Sequence, residues 1–139
     1  MALILDTGPL YASMDQADEH HLACRRLIED SREELVIPSP VLVEVDYWTS
    51  KWLAVDAFCR LLAEIGRGRL RLEELTVADL DRVAEILTRY SDAKVGFVDA
   101  AVLAITERLR EPKLATLDQR HFRMMRPAHV TALELLPQL

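Results

Sequence analysis

The chain has 139 residues, 50% of them hydrophobic and 29% charged, and its 17 basic and 23 acidic residues leave a formal net charge of −6. That length suits one compact domain, expected to span residues 1–139, with enough apolar residues for a real core. The acidic balance argues against a broad basic face for nucleic acid, no stretch reaches the roughly 18 apolar residues of a membrane span, and Asp6 arrives too early for a secretory h-region, so a cytoplasmic protein is expected.

Met1–Leu5 reads as a short buried strand. Gly8-Pro9 then opens a turn of helix through Met14, with proline at a permitted first-turn position. Asp18–Asp30 carries an apolar stripe of Leu22, Leu27 and Ile28, the pattern of an amphipathic helix. Leu35-Val36-Ile37 is a second strand. Ser39 is expected to cap a helix beginning at Pro40, which turns Val41, Leu42, Val45 and Trp48 toward a core. A further helix runs from about Val55 to Ile65 and stops at Gly66. Leu70-Arg71-Leu72 alternates like an edge strand. Thr76-Val77-Ala78-Asp79 has the form of a capping box, and its helix reaches about Tyr90. A loop covers Asp92–Val95. Val98–Leu109 is the most apolar helix. Lys113–Leu117 is a fourth strand, Asp118–Met124 a short helix and Val130–Leu136 a last strand. Strands alternating with helices imply right-handed crossovers and a small, mainly parallel sheet covered on both faces.

Four acids stand at the ends of these elements. Asp6 follows the first strand, Glu44 lies one helical turn after Ser39-Pro40, Asp99 opens the apolar helix and Asp118 ends the fourth strand. In a parallel α/β sheet the carboxyl ends of the strands and the adjoining helix starts converge on one crevice. Each acid has a plain alternative. Asp6 and Asp118 could cap the helices that follow them. Glu44 and Asp99, set among apolar residues, need a partner or a wet cleft. Together the four favour a site for a hard divalent cation, which is held by carboxylates, water and substrate phosphate. Metal-assisted phosphodiester hydrolysis is the chemistry such a site serves.

The segments bearing these acids resemble those of PIN-domain ribonucleases. Leu3-Ile4-Leu5-Asp6-Thr7-Gly8-Pro9-Leu10 is similar to the family's opening segment, and Pro38-Ser39-Pro40-Val41-Leu42-Val43-Glu44-Val45 to its second acidic motif. Tyr90-Ser91-Asp92 with Gly96-Phe97-Val98-Asp99-Ala100-Ala101 resembles the third, and Leu114-Ala115-Thr116-Leu117-Asp118-Gln119-Arg120-His121-Phe122 the fourth. The short length looks most like VapC-type toxins of toxin–antitoxin pairs. The resemblance implies a three-layer α/β/α domain and a metal-dependent endoribonuclease with a Mg²⁺ or Mn²⁺ site on Asp6, Glu44, Asp99 and Asp118. Asp6 and Asp99 carry over as the surest ligands, Glu44 binds directly or through water, and Asp118 belongs to the site or just outside it. Thr7 and Thr116 are candidates to bond waters or carboxylates of the site. The implied substrate is transfer or ribosomal RNA. The implied partners are a small antitoxin protein and a second copy of the chain. A PIN-fold RNA-processing nuclease that is not a toxin, or a receiver-like phosphotransfer or binding domain, are the rival readings.

Other features divide between site and scaffold. Asp92 either caps the next helix or supports the acids. Glu19-His20-His21 with Cys24 matches no zinc signature. Cys24 and Cys59 lack a CxxC partner and are expected as buried small hydrophobes. Arg67, Arg69 and Arg71 are either a solvated turn or phosphate contacts. Arg120, His121, Arg123 and Arg126 follow Asp118 closely enough to face RNA. Tyr47, Trp48 and Trp52 belong either to the core or to a protein interface, since aromatics anchor interfaces.

Overall fold

A computed structural model describes residues 1–139. Five strands form one sheet: β1 (Ala2–Leu5), β2 (Glu34–Pro38), β3 (Arg71–Glu73), β4 (Lys113–Ala115) and β5 (Glu134–Leu136). Their order is β3-β2-β1-β4-β5 and every pairing is parallel. All four residues of β1 are buried, as a central strand covered on both faces requires. Chain order runs outward from β1 to β2 and β3, then returns to the other side of β1 with β4. That reversal makes the gap between β1 and β4 a topological switch point, where α/β sheets place their sites.

The helices are α1 (Thr7–Met14), α2 (His21–Glu29), α3 (Val41–Trp52), α4 (Val55–Gly66), α5 (Val77–Arg89), α6 (Phe97–Arg108) and α7 (Gln119–Met124). With the sheet they make a three-layer α/β/α arrangement around one cluster of 23 buried apolar residues. Helix α6 is buried on all sides from Ala100 to Glu107. Its one carboxylate in that run, Glu107, is held by Arg82 Nε at 2.7 Å and Nη2 at 2.9 Å and accepts the Ala128 amide at 2.7 Å. A buried charge so paired avoids the cost of an uncompensated one. The capping box of α5 forms as expected: Asp79 N donates to Thr76 Oγ1 and Thr76 N to Asp79 Oδ2.

Several expectations shift. The last strand is only Glu134–Leu136, and Ser91–Ala93 is a turn of 3₁₀ helix rather than open loop. The Ser39 hydroxyl makes no capping bond, because Pro40 is itself already helical at φ −60° and ψ −24°. Trp48 does not face the core. The inward row of α3 is Val41, Val45 and Thr49, spaced four apart, and Trp48 lies one residue off that row. Cys24 is buried but Cys59 is exposed. Ala57 and Leu61 face inward on α4, which turns the position midway between them outward.

Candidate active site

The acids gather at the carboxyl end of the sheet. Asp6, directly after β1, is 4% exposed, and its amide donates to Ala115 O of β4 at 2.9 Å. Its Oδ2 accepts the hydroxyl of Thr116 at 2.8 Å, and Thr116 is fully buried. The same hydroxyl oxygen accepts the Asp118 amide at 3.1 Å. Neither Asp6 nor Asp118 caps a helix with its side chain, so both carboxylates remain available to the crevice. Thr7, the first residue of α1, donates its hydroxyl to Glu44 Oε1 at 2.5 Å. Both threonines next to the acids therefore bond carboxylates. Gly8 completes this floor. A Cβ there would meet Leu117 at 3.1 Å, so the glycine lets α1 lie close to the loop that carries Asp118.

Asp99 sits in the first turn of α6, half-buried. Its Oδ2 lies 3.2 Å from His121 Nδ1, and the same nitrogen lies 2.8 Å from Asp118 Oδ2. Asp99, Asp118 and His121 bring one ligand atom each within 4.8 Å of one another. No lysine or arginine pairs with any of the four acids; the single basic contact in the crevice is His121.

The electrostatics record this crowding. Burial first, then the charges of Asp99 and Glu44, push the Asp6 carboxyl up to about 7, against the lowering hydrogen bonds from Thr116 and Thr7. Burial raises Asp99 as well, with Asp118 and Glu44 adding to it and His121 opposing. For His121, burial lowers the value, but the bond and charge of Asp118 and the charge of Asp99 outweigh it and raise the imidazole. Acids that share charge across a crevice without a cationic side chain suit a divalent ion. Oxygen donors of this kind are the ligands of hard cations.

Beside the acids a cleft of about 440 Å³ is lined by Thr7, Gly8, Tyr11, Asp15, Trp48, Trp52 and Leu117, among others. Tyr47, Trp48 and Trp52 are exposed, and Lys51 Nζ lies over all three rings at 5.3–5.8 Å. These aromatics form a surface, not a core.

Other candidates fall away from the crevice. Asp92 is exposed and α6 starts from Gly96 rather than from Asp92. His21 Nδ1 bonds Ala12 O, and His20 pairs with Glu19. Arg67 and Arg69 pair with Glu64, and Arg71 with Glu34 and Glu73. Arg123 bonds Gln119, while Arg120 and Arg126 are exposed. Lys113 bonds Glu33 at the amino end of β4, away from the acids, where it cannot serve a receiver-type site. The residue the sequence undervalued is His121. Its signal was spacing: three positions after Asp118, it falls on the same helix face.

The model of the PIN domain matches residues 3–126, and the chain belongs to the PIN-domain family. It is 35% identical over 125 residues to Ribonuclease VapC26 of Mycobacterium tuberculosis, covering 90% of this chain and 93% of that one. Among solved structures, it is similar to Mycobacterium tuberculosis VapC20, described as a sarcin-ricin loop cleaving toxin. There the TM-score is 0.75 and the identity 20%, over 81% of this chain and 86% of that one. VapBC2 of Rickettsia felis bound to a promoter DNA fragment gives a TM-score of 0.72 at 18% identity, over 99% of this chain and 100% of that one.

Proposed function

We propose that Asp6, Glu44, Asp99 and Asp118 hold the Mg²⁺ or Mn²⁺ ion with which this PIN-domain endoribonuclease toxin hydrolyses RNA. The observation that carries this reading is the convergence of four acids on one crevice that no lysine or arginine neutralises. When bound, a divalent ion acidifies a water molecule and neutralises charge growing on the phosphoryl oxygens. Asp6 and Asp99 are assigned as inner ligands. Thr116 fixes the orientation of the Asp6 carboxylate and favours its ionised form. Thr7 fixes the rotamer of Glu44. Asp118, the most exposed of the four, reaches the rim, where substrate enters. Attack by water forms a new P–O bond and breaks the bond to the 3′ oxygen, which takes up a proton. The products carry 5′-phosphate and 3′-hydroxyl ends.

The substrate is transfer or ribosomal RNA. Arg120 in α7 and Arg126 just beyond it are exposed and follow Asp118 closely in sequence, where they suit RNA phosphates. The regulator is a small antitoxin protein acting in the cytoplasm. An arginine of such a partner fits the acidic crevice bidentately, and the aromatic surface of α3 beside it supplies apolar area for the antitoxin or for a second copy of the chain. No helix is long and apolar enough to cross a membrane.

Calorimetry with Mn²⁺ on wild type and on the Asp6→Asn/Asp99→Asn double variant tests the site. Wild type should bind and the double variant should not; equal binding by both would sink the reading. RNA cleavage should need Mg²⁺ or Mn²⁺, stop with EDTA and be abolished in Asp99→Asn. Products ending in 2′,3′-cyclic phosphate would mean that the RNA 2′-hydroxyl is the nucleophile instead.

A further inference from the structure

We propose that His121 is itself a metal ligand, giving a nitrogen to the same ion as Asp99 and Asp118, and that it biases the site toward Mn²⁺ over Mg²⁺. This rests on the acidic crevice being a cation site, as argued above. His121 Nδ1 stands 2.8 Å from Asp118 Oδ2 and 3.2 Å from Asp99 Oδ2. Neighbouring donors around an octahedral ion with bonds of about 2.1 Å are about 3 Å apart. Two of the three separations thus already match donors that share one ion, and all three ligand atoms lie within 4.8 Å of one another. A single N–H on that nitrogen donates well to one carboxylate, not to two at once, whereas a shared cation satisfies both.

The platform that presents His121 is fixed. Helix α7 is tied down by Gln119, whose Nε2 donates to Thr116 O at 3.2 Å and to Pro137 O at 2.8 Å, and by buried Phe122. Arg123 reaches back to Gln119 Oε1 at 3.0 Å. Asp118 and His121 are three residues apart on this one turn, so they approach the crevice as a pair. Mg²⁺ is satisfied by oxygen and keeps its waters. Imidazole nitrogen favours transition-metal dications, among which Mn²⁺ also tolerates the surrounding carboxylates.

Pulsed EPR of the Mn²⁺-loaded protein should show coupling to a ¹⁴N nucleus, and His121→Gln should lose it. Calorimetry should find the Mn²⁺ affinity of His121→Gln reduced by about tenfold, with Mg²⁺ affinity changed by less than about threefold. Absence of nitrogen coupling in wild type would overturn the proposal without any variant. Coupling retained in His121→Gln, or equal losses for the two ions, would overturn it too. If wild type binds neither ion, the acidic site itself fails. Oxygen-only Mn²⁺ binding removes the histidine and leaves the four acids standing.

Discussion

The buried hydroxyl of Thr116 donates to Asp6 Oδ2 at 2.8 Å across 110 positions of sequence. It joins the two strands, β1 and β4, that flank the point where the sheet reverses direction. The bond stabilises the ionised form of a carboxylate that burial would otherwise keep protonated. Thr116→Val keeps the shape and removes the donor. Charge-assisted hydrogen bonds are worth about 1.5–3 kcal/mol, so Mn²⁺ affinity near neutral pH should fall by about tenfold or more. Calorimetry on Thr116→Val and Thr116→Ser checks this, with serine expected to restore most of the loss. A valine variant that binds Mn²⁺ like wild type would show that Asp6 needs no help to ionise.

The pH dependence has a definite sign. Asp6 ordinarily titrates at 3.8 and is pushed up to about 7, by burial above all. Between those values the unfolded chain has lost this proton while the metal-free folded chain keeps it. Folding then takes up a proton, so the contribution of Asp6 to stability falls as pH rises through that window. The slope approaches about 1.4 kcal/mol per pH unit. Asp99, also raised, works in the same direction. Urea unfolding in EDTA should show wild type losing stability relative to Asp6→Asn as pH rises from about 4 to about 7. Saturating Mn²⁺ should cancel the loss, because the ion binds the deprotonated acids and its affinity grows with pH. Parallel pH curves for wild type and Asp6→Asn in EDTA would count against the buried, protonated Asp6.

The exposed aromatics of α3 predict a separation of functions. Trp48 and Trp52 line the cleft beside the acids but touch none of them through a hydrogen bond. Truncation of an interface hot spot costs about 2 kcal/mol or more. Trp48→Ala/Trp52→Ala should therefore weaken antitoxin binding by about thirtyfold or more while the Mn²⁺ affinity stays within about twofold. Titration of each toxin variant with an antitoxin, and with Mn²⁺, followed by fluorescence or calorimetry, measures both. Undiminished antitoxin affinity would move the interface elsewhere.

Local chemistry made much of this architecture legible. The apolar run of β1, the capping box at Thr76–Asp79 and the apolar girth of α6 each follow from neighbouring residues, and the structure has them where the pattern puts them. The four acids were legible as a set because each stands next to an element end. What stayed hidden depended on fine angular position or on distant partners. Trp48 and Cys59 each sit one or two residues off an inward row, and a coarse stripe does not resolve that. The Thr7–Glu44 and Thr116–Asp6 bonds span 37 and 110 positions, so nothing local orients them. The sequence reads His121 as a residue facing RNA, because metal chemistry alone accounts for the reaction, and only the fold shows its nitrogen between two carboxylates.

The strand order has a consequence for the cell that makes this protein. While the chain is being synthesised, β1, β2 and β3 emerge first and can pair in that order, leaving β1 as an open edge. At that stage Asp6 has no Thr116, and Asp99 and Asp118 have not yet been added. The acidic crevice closes only when β4 slots in beside β1, late in translation. A chain that stops short of β4 therefore has the strand bearing Asp6 but not the crevice around it.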